Sequence, residues 1–393
     1  MAIAGKIQGF ITQSSWIRKM FEEGIQLKQE FGAGNVYDFS LGNPNVEPPE
    51  KLRQVLRDVA GEDIPGKHAY MPNAGYPETR RVVADYLSRE HDLKITGDQV
   101  VMTVGAGGAL NVIMKTILDP GDEVVIPTPY FVEYRFYVDN GGGVTVPVPT
   151  RGDFSLDLRA IEAGINARTK AVLINSPNNP TGRVYDDASL RGLAEILISK
   201  SRQSGRVIYL ISDEPYRDIV YDGIQVPSVL KSYHNSIVAY SYSKSLSLSG
   251  ERIGYLAVHP ECDAAADLMA GLVLCNRMLG FVNAPALMQR VIARVQGLNV
   301  DAGIYRRKRD LLCDGLASVG YEVRKPEGAF YLFQKAPIAD DVAFVRALQE
   351  ERILTVPGSG FGGPGYIRIA YCVDDATITN AIGGFGRVLN KFR

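Results

Sequence analysis

From about residue 99 onward, short runs rich in valine and isoleucine alternate with stretches whose apolar residues recur at helical spacing. The runs are Val100–Val104, Glu123–Ile126, Val144–Val148, Ala171–Asn175, Val207–Ser212 and Ile237–Tyr240. Several are apolar on both faces, as strands are in a sheet covered on both sides. Between two of them, Leu190, Leu193, Ala194 and Leu197 fall at i, i+3, i+4 and i+7, which predicts a helix over 190–205. Asp186 or Asp187 can cap its start, and Gly205 can close it in a left-handed turn. Strand–helix alternation implies an α/β fold with a mostly parallel central sheet covered by helices. Ligands in such sheets bind beyond the carboxyl ends of the strands.

The two chain ends follow another pattern. Residues 1–45 begin with a helical stretch, Trp16–Lys28, and end at Ser40-Leu41-Gly42-Asn43-Pro44. After about residue 285, a helical stretch through Arg306–Leu316 precedes a smaller α+β pattern over Gly328–Phe333, Ala343–Glu351, Ile353–Val356 and Tyr366–Ala370. We therefore expect a large domain over residues 46–285 and a small α+β domain built from residues 1–45 and 286–393.

Composition narrows the function classes. Of 393 residues, 46% are apolar and 22% charged, as in an ordinary globular protein, and the formal net charge is −1. No global field would draw in nucleic acid or an anionic membrane, so neither is expected as a partner. Cys262, Cys275, Cys313 and Cys372 form no CxxC pair and show no metal-ligand spacing, so they read as core residues in a reducing compartment. No signal-peptide core opens the chain, and no apolar stretch is long enough to span a membrane. A cytoplasmic location is the resulting expectation.

Candidate chemistry gathers where the strand runs end. Gly105-Ala106-Gly107-Gly108 follows one run and precedes the helical pattern Ala109–Leu118. It is either a tight strand–helix turn or a set of backbone N–H groups at a helix N-terminus, suited to a phosphate. It is not GxGxxG, because Leu110 occupies the last glycine position. The loop Asn175-Ser176-Pro177-Asn178-Asn179-Pro180-Thr181-Gly182 is rigid and suits an amide held for a ligand, Asn179 in particular. Asp213 closes an apolar run, as a capping residue or as the counter-ion of a buried cation, with Tyr216 three residues on. Lys244, in Ser241-Tyr242-Ser243-Lys244, is either a solvated surface lysine or a nucleophile toward an aldehyde. Ser241, Ser243 and Arg252 could grip a phosphate. Arg368, inside Tyr366-Ile367-Arg368-Ile369-Ala370, is an edge residue or a bidentate carboxylate clamp.

In this order and spacing, together with Tyr70, Gly75-Tyr76-Pro77-Glu78 and Pro129-Tyr130-Phe131, the pieces resemble the class I/II aminotransferases of fold type I, which use pyridoxal phosphate. The resemblance runs from about Leu41 to Arg368. It implies a transaminase that moves the amino group of an L-amino acid to a 2-oxo acid by a ping-pong mechanism. Lys244 would hold the cofactor as a Schiff base and serve as base and acid in the proton shift. Asp213 would pair with the pyridinium nitrogen, Asn179 and Tyr216 with the phenolic oxygen, and Phe131 would stack on the ring. Ala106, Gly107 and Gly108, with Ser241, Ser243 and Arg252, would hold the phosphate. Tyr70 would reach it from a neighbouring subunit, implying a homodimer. Arg368 would clamp the substrate carboxylate, beside Gly42 and Asn179. The turn before Pro44 is shorter than family members often carry, which leaves Gly42 and Asn43 open.

Two rival activities share these residues. A C–S β-lyase would use the same cofactor on the same fold. A serine acyl-transfer enzyme would use Ser241 and Lys244 as an S-x-x-K motif, although the chain lacks the accompanying KTG and SDN boxes. A cofactor-binding regulator without turnover is a third possibility. For a substrate side chain, Trp16, Arg18, Arg135 and Arg277 are candidates without a distinguishing pattern.

Overall fold

A computed structural model describes residues 2–12 and 16–393, without the side chains of residues 12, 17–19 and 21; Arg18 therefore lies outside the described side chains. In chain order the strands are β1 (Tyr37–Asp38), β2 (Val100–Thr103), β3 (Glu123–Thr128), β4 (Val144–Pro149), β5 (Thr169–Asn175), β6 (Tyr209–Asp213), β7 (Ser236–Ser241), β8 (Gly254–Val258), β9 (Tyr331–Lys335), β10 (Ile353–Leu354), β11 (Val356–Pro357) and β12 (Tyr366–Ala370).

Seven of them form the central sheet in the order β2-β8-β7-β6-β5-β3-β4. Strands β7, β6, β5, β3 and β4 run parallel, while β8 is antiparallel to both β2 and β7. The apolar runs fail to single out β8, Gly-Tyr-Leu-Ala-Val, which follows Arg252 after one residue. Strands β2, β6, β7 and β8 are buried at every position. Alternate residues of the central sheet feed three cores, two of which face the following helices. Leu173, Ile211, Ile237 and Leu256 pack with Val112 and Ile113 of the helix Gly105–Ile117. Val172, Ile174 and Leu210 pack with Leu190, Leu193 and Leu197 of the helix Asp187–Ser204. Full burial of each such side chain contributes about 1.5–3 kcal/mol, which explains why these strands tolerate no polar face.

The helix Asp187–Ser204 ends as its sequence dictates. The Asp186 carboxylate accepts from Ser189 N at 2.7 Å, and Gly205 adopts φ 66°. The glycine run behaves differently from the expected turn. Gly105 to Gly108 are the first turn of the helix Gly105–Ile117, not a loop ahead of it.

The two ends of the chain meet. β1 pairs in parallel with β10, Tyr37 opposite Ile353. An antiparallel sheet of order β11-β12-β9 lies alongside, and Phe39, Leu312, Phe330, Phe344, Ile367 and Phe385 share one core. The helix Ala286–Val295 packs elsewhere: its Met288, Val291 and Ile292 join Leu52, Val55 and Val59 of the helix Glu50–Gly61. All four cysteines are free and buried. Among the described residues no helix is long and apolar enough to cross a membrane.

Candidate active site

Strand register builds the site. Asn175, the last residue of β5, lies opposite Asp213, the last of β6, and Asp213 lies opposite Ala239 of β7. β7 continues to Ser241, opposite Gly254. Three parallel strands thus deliver an amide, a carboxylate and a hydroxyl to one edge. They open into a cavity of about 320 Å³, also lined by Gly42, the start of the helix Gly105–Ile117, Phe131, Lys244, Arg252, Tyr331 and Arg368.

Asp213 sits at its floor, 5% exposed. Its Oδ2 accepts from the Tyr134 hydroxyl at 2.6 Å, while its Oδ1 is buried with no partner. Burial pushes the carboxyl up to about 7, against the Tyr134 hydrogen bond, with nearby Glu214 adding to the rise. An unpaired buried carboxylate oxygen is costly, so the site is built for a donor that arrives with a ligand.

Lys244 lies in a short helical turn, Tyr242–Ser245, directly after β7. Its amine is inside the cavity, not in bulk solvent, and donates to Gly42 O at 2.7 Å. Burial holds the amine down to about 8, with Arg368 and Arg252 pushing the same way. Such an amine is a nucleophile near neutral pH. Gly42 is required by contact: a Cβ there would overlap the Tyr331 hydroxyl.

One end of the cavity suits an anion. Ser241 Oγ and Ser243 Oγ lie 2.7 Å apart, and Arg252 Nη1 reaches Ser243 Oγ at 3.4 Å. The helix starting at Gly105 adds free N–H groups and the positive end of its dipole. Gly105 has φ 79°, and a Cβ there would stand 2.9 Å from Arg252 Nη2. Ala106 and Gly107 line the cavity, whereas Gly108 does not. Because the helix begins three residues before Gly108, that position turns away, toward Val104 and Phe281.

Arg368 also lines the cavity and is 1% exposed. β12 is the central strand of its sheet, so Arg368 is no edge residue. Its Nη1 donates to Asn179 Oδ1 at 3.1 Å and its Nη2 to Ser40 O at 2.6 Å, leaving Nε buried and unpartnered. Its guanidinium stacks 4.6 Å from the Tyr331 ring and 4.8 Å from the Phe361 ring. Asn179 is itself fixed, its N–H donating to Asn175 Oδ1 at 2.7 Å. The Tyr216 and Tyr331 hydroxyls are 2.8 Å apart.

Other expected residues fall elsewhere. Tyr70 is 90% exposed and borders a separate surface groove with Met71 and Phe281. Trp16 packs near Gly360, the Arg135 guanidinium lies over Phe136, and Arg277 is exposed in the last turn of the helix Ala265–Met278; none lines the cavity. Asn43 accepts from Ser249 Oγ at 3.1 Å. Tyr134, Tyr137, Tyr331 and Asn175 line the site without having been picked as site residues from sequence. The only local signal for the first two was their spacing after Phe131. Among the described residues no group of three His, Cys, Asp or Glu side chains could hold a metal ion. Ser241 faces Ser243 while Lys244 is held by Gly42, so the dyad that serine acyl transfer needs is not formed.

The residues fit pyridoxal phosphate. Asp213 Oδ1 is buried without a partner and could take a ring N–H, Ser241, Ser243 and Arg252 suit a phosphate, and Lys244 and Arg368 line the same cavity.

Comparisons with known proteins agree. A family model described as aminotransferase class I and II matches residues 34–385. A probable aspartate/prephenate aminotransferase of Thermus aquaticus is 35% identical over 358 residues, covering 89% of this chain and 90% of that protein. The aspartate/prephenate aminotransferase of Thermus thermophilus is 33% identical, with 90% of each covered. A crystal structure of an amino transferase from Eubacterium rectale superposes with a TM-score of 0.97 at 41% identity, covering 100% of both chains. The aspartate aminotransferase of Thermus thermophilus, solved with maleate, gives 0.87 at 29% identity, covering 99% of this chain and 100% of that one. The chain belongs to the class I and II aminotransferases, and it is a pyridoxal-phosphate-dependent transaminase of fold type I.

Proposed function

We propose that Lys244 is the covalent anchor of the cofactor and the group that moves the substrate proton. The observation carrying this reading is the pairing, in one cavity, of a lysine amine held down to about 8 with a buried carboxylate whose Oδ1 lacks a partner. Bound pyridoxal phosphate supplies an aldehyde that takes up amines and a protonated ring that accepts the electron pair left at the substrate Cα. The protein supplies the rest. Asp213 Oδ1 receives the ring N–H, while Tyr134 holds Oδ2. Asn179 and Tyr216, which line the cavity, would bond the phenolic oxygen, and Phe131 would cover the ring. Backbone N–H groups at Ala106 and Gly107, with Ser241, Ser243 and Arg252, hold the phosphate.

Arg368 orients the substrate carboxylate through its fork. Once the substrate amine displaces it, Lys244 Nζ is free to take the Cα proton and return it on the cofactor side. Water supplies the keto oxygen as the amino acid leaves as a 2-oxo acid and its amino group stays with the cofactor; a second 2-oxo acid takes that amino group in the return half-reaction and the water is released. We propose aspartate as donor, since two Thermus relatives are named aspartate/prephenate aminotransferases. A half-reaction screen of single amino acids, read by loss of visible absorbance, tests it.

We further propose a homodimer in which Tyr70 completes the partner's phosphate site; its exposure and its place in a groove other than the chain's own cavity support this. The two-domain division is also proposed, with Ala286–Val295 lying against the large domain, as is a cytoplasmic location. Borohydride treatment of the holoenzyme followed by peptide mapping tests the central assignment. The cofactor is expected on Lys244, and attachment to another lysine refutes the reading.

A further inference from the structure

Tyr331 lines the cavity beside Tyr216 and Arg368. It is 2% exposed and lies in β9, with Ala370 of β12 opposite. Its hydroxyl meets that of Tyr216 at 2.8 Å, and among the described residues neither hydroxyl has another hydrogen-bond partner. Its ring cannot swing. Tyr216 packs against it edge-on at 5.6 Å, the Arg368 guanidinium covers it at 4.6 Å, and Gly42 leaves room for the hydroxyl only because it has no Cβ.

Each hydroxyl has one proton to give. If Tyr216 gave its proton to Tyr331, it would offer a cofactor oxygen only lone pairs. Tyr331 has nowhere else to donate. Once an anionic acceptor lies beside Tyr216, the favourable direction runs from Tyr331 to Tyr216 to that acceptor, since the charge-assisted bond is the stronger and successive bonds polarise one another. Resting on the cofactor placement proposed above, we infer that Tyr331 is a positioning residue: it donates to Tyr216, so that the Tyr216 proton is committed to the cofactor's phenolic oxygen.

The charged and titratable groups facing this pair are Arg368, Cys372 and Asp213, and they are unchanged when only a hydroxyl is removed. The test is a pH titration of the visible absorbance of the holoenzyme. Tyr331→Phe is expected to raise the midpoint by about 0.5–1 pH unit, the size of one ordinary hydrogen bond. In a Tyr216→Phe background, the same change is expected to add nothing. An unshifted midpoint in Tyr331→Phe overturns the inference, and so does an undiminished extra shift in the double variant. Failure of the cofactor assignment would look different: wild-type protein given pyridoxal phosphate would show no visible band to titrate.

Discussion

The Tyr134 hydroxyl lies 2.6 Å from Asp213 Oδ2, and Oδ1 of the same carboxylate stays buried without a partner. One oxygen is thereby tied down while the other is left for a ligand. The arrangement has a consequence for stability. Burial raises the folded carboxyl from its ordinary value to about 7, so between those values the native state holds a proton that the unfolded chain has released. Stability from this group is therefore full at low pH and is lost as pH rises toward 7. For cofactor-free protein, denaturant melts of wild type and Asp213→Asn should converge toward acid. Relative to the variant, wild type should lose about 2–4 kcal/mol by pH 7.5. A pH-independent difference would contradict the burial argument.

Tyr134→Phe should weaken cofactor binding. Without the hydroxyl, the carboxyl loses the contact that opposes its rise, and less of it is ionised to receive a protonated ring nitrogen. A hydrogen bond to a charged group is worth about 1.5–3 kcal/mol, so pyridoxal phosphate should bind the variant roughly 10–100-fold more weakly at neutral pH. Spectral titration of the cofactor-free protein measures it.

Lys244 carries a prediction of opposite sign. Its amine is held down to about 8 from the ordinary lysine value, so it gains nucleophilicity as pH rises through 8 and levels off above. Peptide-resolved labelling of cofactor-free protein with an amine-specific acylating reagent should give that midpoint at Lys244, while exposed Lys51 continues to climb. Lys244→Ala should lower transamination by at least about 10³-fold while still binding cofactor.

Gly42 is the structural hinge of that amine. Its carbonyl holds Lys244, and its missing Cβ makes room for the Tyr331 hydroxyl. Gly42→Ala is expected to destabilise the protein by about 1–3 kcal/mol through overpacking. It should also weaken cofactor binding, because relief of the clash moves the carbonyl. A thermal melt and a cofactor titration of the same variant check both. An alanine variant that binds cofactor like wild type would show that the loop yields freely.

Strand ends were legible because burial on both faces forces continuous apolar runs, and a polar residue closing such a run stands out, as Asn175, Asp213 and Ser241 do. Tyr134 was not legible. Its meaning depends on Asp213, 79 residues away, and its helix Tyr134–Asn140 is too short to show a period. Tyr331 depends in the same way on Tyr216, 115 residues distant. β8 was hidden because its five residues follow the Arg252 segment with no turn signal between. The glycine run was visible too, but where the helix began within it was not.

Tyr70 allows the proposed dimer to be tested through chemistry. It is 90% exposed and lines no part of its own chain's cavity, so the proposed contact would come from another copy. Tyr70→Ala alone should weaken cofactor retention, and Lys244→Ala alone should be inactive. Mixed dimers of the two variants behave differently. One site draws both defects, with its lysine missing and its tyrosine missing from the partner. The other draws neither, because its Lys244 comes from the Tyr70→Ala chain and its tyrosine from the Lys244→Ala chain. At limiting cofactor, co-refolding the two variants, or co-expressing them with separate tags, should give more activity than either shows alone, approaching one intact site per mixed dimer. If the mixed dimers form and remain inactive, Tyr70 does not act across the interface.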